Sequence, residues 1–110
     1  MLAVFRADAS TEIGGGHVMR CLTLAQQLES LGWRCAFAVN AAAPAAVPAL
    51  AGRDPLILHG RPEETAAALR RNFPGGVDWL IVDHYGMDSV VESACRGWAR
   101  AIMALDDLAD

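Results

Sequence analysis

His17 is the residue of this sequence whose surroundings most clearly favour acid–base chemistry. It directly follows three glycines at 14–16, at the point where an amphipathic pattern begins. A histidine in the first turn of a helix lies beside backbone N–H donors and the positive end of the helix dipole, which favours the neutral ring. A neutral imidazole can accept a proton, and a well-placed base contributes about 10²–10⁴-fold to a rate. Two interpretations stay open: a general base, or a structural histidine that hydrogen-bonds the loop.

The other side chains with chemical potential follow apolar runs elsewhere in the chain. They are Arg6 and Asp8 after the first run, Asp83, His84 and Tyr85 after a later run, and Asp106 with Asp107 after the last. If each run is a parallel strand, all of them lie at carboxyl ends of strands, where ligand crevices form. Taken singly, each has a structural alternative, such as a turn anchor or a solvated carboxylate. Their shared location favours one ligand-binding crevice.

The glycine run disfavours a dinucleotide site, and the absence of lysine excludes a P-loop. A dinucleotide fingerprint would need glycine at Met19, and Asn40 stands where the ribose-binding acid is expected. All nine basic residues are arginine, so a P-loop lysine is missing. A less specific binding role remains for the glycine run: the backbone N–H groups of Gly14, Gly15 and Gly16 could approach an anionic or hydroxyl-rich ligand.

We predict no metal site and no cofactor. His17, Asp83, His84 and Asp106 could converge, but none has a ligand partner at metal-binding spacing within one element. The three cysteines form no C-x-x-C pair, which is typical of a reducing compartment, and Cys21 and Cys35 lie among apolar residues as small buried side chains do.

The elements that must position these residues alternate regularly between strand and helix. Short apolar runs predict strands at 2–5, 35–39, 56–58, 79–82 and 101–105. Helices are predicted at 17–31 with Gly32 ending the first, near Pro44, at 62–72 and at 88–98 with Asp88 as N-cap. This alternation predicts an α/β fold, an open parallel sheet of about five strands with helices on both faces. The usual Rossmann-like strand order, 3-2-1-4-5, would bring the glycine loop opposite residues 83–85.

Composition limits the classes of partner. The chain has 110 residues, a net charge of −4 and 54% hydrophobic residues, which excludes a disordered polar tail. The acidic balance argues against nucleic acid as a partner. No signal peptide or membrane-length apolar segment is recognised, so we expect a cytoplasmic protein without membrane contact.

The last predicted strand ends close to the last residue, with no helix after it to cover the sheet. We therefore expect residues 1–110 to be an amino-terminal Rossmann-like domain, truncated and lacking a second domain. An uncovered edge strand would also allow self-association.

Three strings resemble the UDP-sugar hydrolases of pseudaminic acid biosynthesis. They are FRADAS at 5–10 with IGGGHVMRCL at 13–22, then IVDHYG at 81–86, and LDDLA at 105–109. Together they span nearly the whole chain in the family's order, and the first is the longest and most specific. Those enzymes release UDP from UDP-2,4-diacetamido-2,4,6-trideoxy-β-L-altropyranose.

The resemblance implies the amino-terminal part of a two-domain glycosyltransferase-B-type fold. It implies metal-independent attack of water on the anomeric carbon, with His17 as general base and Tyr85 at the sugar site. Most of the uridine site would belong to the second domain, so residues 1–110 alone should be inactive. Substrate contacts are predicted at Arg6, Asp8, Gly14, Gly15, Gly16, Asp83, His84 and Asp106. The alternatives are a glycosyltransferase of the same fold and a non-catalytic sugar-binding or assembly module.

Overall fold

The computed structural model describes residues 1–10, 15–59, 62–83 and 95–105. Five strands and their connecting helices follow one another along the chain. The strands are β1 (Leu2–Ala7), β2 (Arg34–Asn40), β3 (Leu56–Leu58), β4 (Val77–Asp83) and β5 (Ala99–Leu105). The helices are α1 (Gly16–Ser30), the short α2 (Ala43–Ala46) continued by a 3₁₀ turn (Pro48–Arg53), and α3 (Pro62–Asn72).

The five strands form one sheet in the order β3-β2-β1-β4-β5, and every pairing is parallel. The predicted α/β fold and its strand order are therefore confirmed. The order reverses at β1, which pairs with β2 on one side and β4 on the other. Arg6 of β1 lies opposite Ala38 of β2 and Val82 of β4, so the carboxyl ends of the three strands lie side by side.

Alternate strand residues form two separate cores, one on each face of the sheet. On one face α1 and the α2 segment pack on β1 and β2, with the rings of Phe5 and Phe37 stacked at 4.9 Å. On the other face α3 packs through Ala66 and Leu69 against Val4 and Leu80. Helices therefore cover both faces, as predicted, and β1 is buried from Ala3 to Ala7 because it is covered on both sides.

Gly32 ends α1 as predicted. It adopts a φ of +92°, its N–H donates to the Glu29 carbonyl at 3.0 Å, and the Trp33 N–H donates to the Leu28 carbonyl at 3.1 Å. This pair of bonds is the Schellman motif, which needs a left-handed residue just after the helix. The turn directs the chain back into β2 beside β1.

The predicted end of the helix at 88–98 is wrong. Arg96 forms an isolated bridge with Ala99, and Gly97 has a φ of +85°, which a right-handed helix cannot contain. The Trp98 N–H donates to the Cys95 carbonyl in a turn, and β5 begins earlier than predicted, at Ala99. The predicted cap Asp88 lies outside the described residues.

Among the described helices, none combines the length and apolar character needed to cross a bilayer.

Candidate functional site

The carboxyl end of β1 is held by a buried arginine. One terminal nitrogen of Arg6, Nη1, donates to the carbonyls of Ala7 at 3.0 Å and Ala38 at 3.4 Å and forms an ion pair with Asp8. Arg6 is only 9% exposed, and its Nε has no hydrogen-bond partner within the described parts of the chain. The guanidinium therefore joins the ends of β1 and β2 and is partly neutralised by Asp8. Substrate contact by Arg6 and Asp8 stays a prediction.

Asn40 fixes the segment that follows β1. Its amide oxygen accepts from the Ala9 N–H and its amide nitrogen donates to the Ala9 carbonyl, both at 3.0 Å. One side chain thus satisfies both polar groups of a fully buried backbone position. The sequence identified Asn40 only as a replacement for a ribose-binding acid. No local sequence pattern indicated this role, because the contact joins residues 31 positions apart.

Asn40→Ala is expected to lower the free energy of unfolding by about 1–3 kcal/mol, because it leaves two buried backbone groups without partners. Hydrogen exchange at the Ala9 amide should become much faster, which NMR or mass spectrometry can measure. Asn40→Asp is a partial control: one carboxylate oxygen can still accept from the Ala9 N–H, but the other cannot donate to the Ala9 carbonyl. Exchange at Ala9 should therefore be faster than in the wild type and slower than in Asn40→Ala. Unchanged exchange at Ala9 in Asn40→Ala would contradict this role.

The described glycines of the loop have different surroundings. Gly15 is the N-cap of α1, and a Cβ there would lie 2.6 Å from Cγ2 of Val47. Gly15 therefore allows the start of α1 to pack closely against the segment after α2. Among the described residues, a Cβ on Gly16 would meet nothing within 4 Å. Of these two positions, Gly16 leaves open space in which a ligand could approach the backbone.

His17 lies in the first turn of α1, as predicted, and it is half-buried. Its ring nitrogen Nδ1 lies 3.2 Å from a terminal guanidinium nitrogen of Arg20, one turn further along the helix. A basic residue that the sequence analysis did not single out, Arg20, therefore contacts the ring. The three-residue spacing was the signal, because such residues are neighbours on a helix surface.

Asp83 ends β4, one residue beyond Val82, which pairs with Arg6. Its backbone therefore lies beside the end of β1, as the predicted strand order requires. Asp83 also pairs with Leu105 of β5. Four other predicted site residues lie outside the described residues: Gly14, His84, Tyr85 and Asp106.

Neither Cys35 nor Cys95 offers an activated thiol. None of the three cysteines is in a disulfide, and Cys21 is fully buried as predicted, whereas Cys35 is only half-buried. Burial raises the pKa of the Cys95 thiol and, together with nearby Glu29, that of Cys35, so both stay protonated near neutral pH. Within the described ranges, no three histidine, cysteine or acidic side chains come together as a metal site would require.

Comparison with protein-family models, with curated proteins and with solved structures finds no match. The case for a function therefore depends on the motifs and on the geometry around β1 and the start of α1.

Proposed function

We propose that this chain is the amino-terminal part of a UDP-sugar hydrolase that releases UDP from a 2,4-diacetamido-2,4,6-trideoxyhexose. The observation that carries the proposal is the position of His17, in the first turn of α1 directly after the glycine loop. That turn follows β1, the strand at which the sheet order reverses. Crevices at this point of an open parallel sheet are where such folds bind ligands.

The start of α1 suits a diphosphate. The first N–H groups of a helix lack partners within the helix, and the dipole favours an anion beside them. Gly16 leaves room for a phosphate to approach this backbone closely. In the proposed complex the diphosphate lies against this turn, which places the anomeric carbon near His17.

In the proposed reaction, His17 takes a proton from water as the water oxygen bonds to the anomeric carbon. The bond between that carbon and the diphosphate oxygen breaks, and UDP leaves with the electron pair. Tyr85 orients the sugar, and the Arg6 and Asn40 contacts hold the strand ends beneath the loop. A base of this kind supplies about 10²–10⁴-fold of the rate.

The deciding experiment incubates the full-length protein with the UDP-sugar in ¹⁸O-labelled water and without any acceptor. We expect release of UDP that carries no label, because water attacks carbon and the phosphate oxygens do not exchange. Labelled UDP would instead indicate attack on phosphorus and contradict the mechanism. UDP release only after an acceptor is added would identify a transferase, and no release under either condition would favour a non-catalytic module.

A further inference from the structure

The contact between Arg20 and His17 determines which ring nitrogen carries the proton. A guanidinium has only donors, so Nδ1 of His17 must be the acceptor in the 3.2 Å contact with Arg20. A neutral imidazole has one N–H, and with Nδ1 accepting it must lie on Nε2. For a neutral ring, this contact is therefore compatible only with the Nε2–H tautomer.

This tautomer constrains any base role of His17. Nε2 has no free lone pair in this form, so the ring cannot accept a proton there. The lone pair of Nδ1 is directed to Arg20. A proton from water can reach His17 only at Nδ1, and only after the guanidinium has moved away.

We propose that Arg20 is a positioning residue that controls His17, setting the Nε2–H tautomer and occupying Nδ1 until an anionic diphosphate draws the guanidinium away. This inference rests on the proposed function, in which His17 is the general base. Arg20 is exposed and lies one turn from the start of α1, where the diphosphate is proposed to bind. A phosphate competes well for it because arginine forms strong charge-assisted hydrogen bonds with phosphate oxygens.

The Arg20–His17 contact has to be broken while Nδ1 carries the proton taken from water, and it can form again afterwards. When Nδ1 takes a proton from water, both ring nitrogens become donors and the ring becomes cationic. Arg20 can then neither donate to Nδ1 nor lie beside it without repulsion. Because Arg20 has already moved to the diphosphate, neither conflict arises, and the original contact can form again after the proton passes to solvent.

The test is ¹⁵N NMR of the imidazole nitrogens in the full-length protein labelled at histidine, with the His17 signals assigned by their loss in His17→Gln. In the ligand-free protein we expect a protonated Nε2 and an unprotonated, hydrogen-bonded Nδ1. Arg20→Met should shift these signals towards a mixture of the two tautomers. Arg20→Lys should restore part of the bias, since lysine also donates. Arg71→Met, at an exposed arginine of α3, should leave the signals unchanged.

Titration with UDP then tests whether a diphosphate draws the Arg20 guanidinium away from Nδ1 of His17. We expect UDP to shift the His17 signals of the wild-type protein in the direction that Arg20→Met does, and to have little further effect in that variant. An Nδ1–H tautomer in the free protein, or signals insensitive to both Arg20→Met and UDP, would overturn the proposal. The tautomer is measured without turnover, so failure to release UDP from the sugar nucleotide would count against the proposed function and not against the role of Arg20.

Discussion

Gly76→Ala is expected to lower the free energy of unfolding by about 2–5 kcal/mol, which would be among the largest single-residue effects in this fold. Gly76 precedes β4 with a φ of +83°, a conformation that costs an alanine about 1–2 kcal/mol. A Cβ there would also lie 2.7 Å from the Trp98 carbonyl oxygen. That oxygen accepts a hydrogen bond from the Val77 N–H at 3.1 Å, so it cannot withdraw without loosening the start of β4.

Two other glycines separate the contributions of φ and of steric contact. Gly97 has a φ of +85°, but a Cβ there meets no described atom within 4 Å, so Gly97→Ala should cost only about 1–2 kcal/mol. Gly75 has neither a positive φ nor a close neighbour, and Gly75→Ala should change stability by no more than about 0.5 kcal/mol.

Denaturant unfolding followed by tryptophan fluorescence gives the comparison, because the Trp98 indole donates to the Phe73 carbonyl close to Gly76. The expected order of destabilisation is Gly76→Ala, then Gly97→Ala, then Gly75→Ala. Equal losses at Gly76 and Gly97 would show that the Trp98 carbonyl moves aside, and would contradict the steric part of the argument.

Much of the fold could be predicted because its central strands, β1 and β4, are largely buried on both faces. Such strands read as continuous apolar runs, and 79–82 is the clearest of them, lying within β4. Proline and glycine marked the ends of α1 and α3, which need special backbone conformations there. Parallel strands separated by helices then leave few possible orders, of which 3-2-1-4-5 is the common one.

What could not be predicted depends on contacts between residues distant in sequence. Gly76 and Trp98 are brought together only by the pairing of β4 with β5. Asn40 reaches Ala9 across 31 positions because β1 and β2 are neighbours in the sheet. Arg20 is different, since its spacing from His17 was visible, but the helix had to be placed before a side-chain contact could be inferred.

His17→Ala in the full-length protein is expected to lower UDP release about 10²–10⁴-fold, the contribution of a placed general base. The substitution should leave stability almost unchanged, because His17 lies in the first turn of α1 and is only half-buried. If the urea unfolding midpoint of His17→Ala equals that of the wild type, the lost activity reflects the missing base and not unfolding. Activity close to that of the wild type would show that His17 is not the base.

His17→Asn and His17→Gln separate the base from the structural histidine that the sequence also allowed. Asparagine places an amide near the position of Nδ1 and glutamine near that of Nε2, so each can keep a hydrogen bond, but neither accepts a proton at neutral pH. If His17 is the base, both variants should be as slow as His17→Ala, because hydrogen bonding alone cannot replace proton transfer. If His17 only holds the loop, one of them should recover most of the activity. The asparagine variant also offers Arg20 an acceptor in place of Nδ1. If His17→Asn is slow although its contact with Arg20 is intact, the rate is lost because proton transfer is lost, and not because Arg20 has moved.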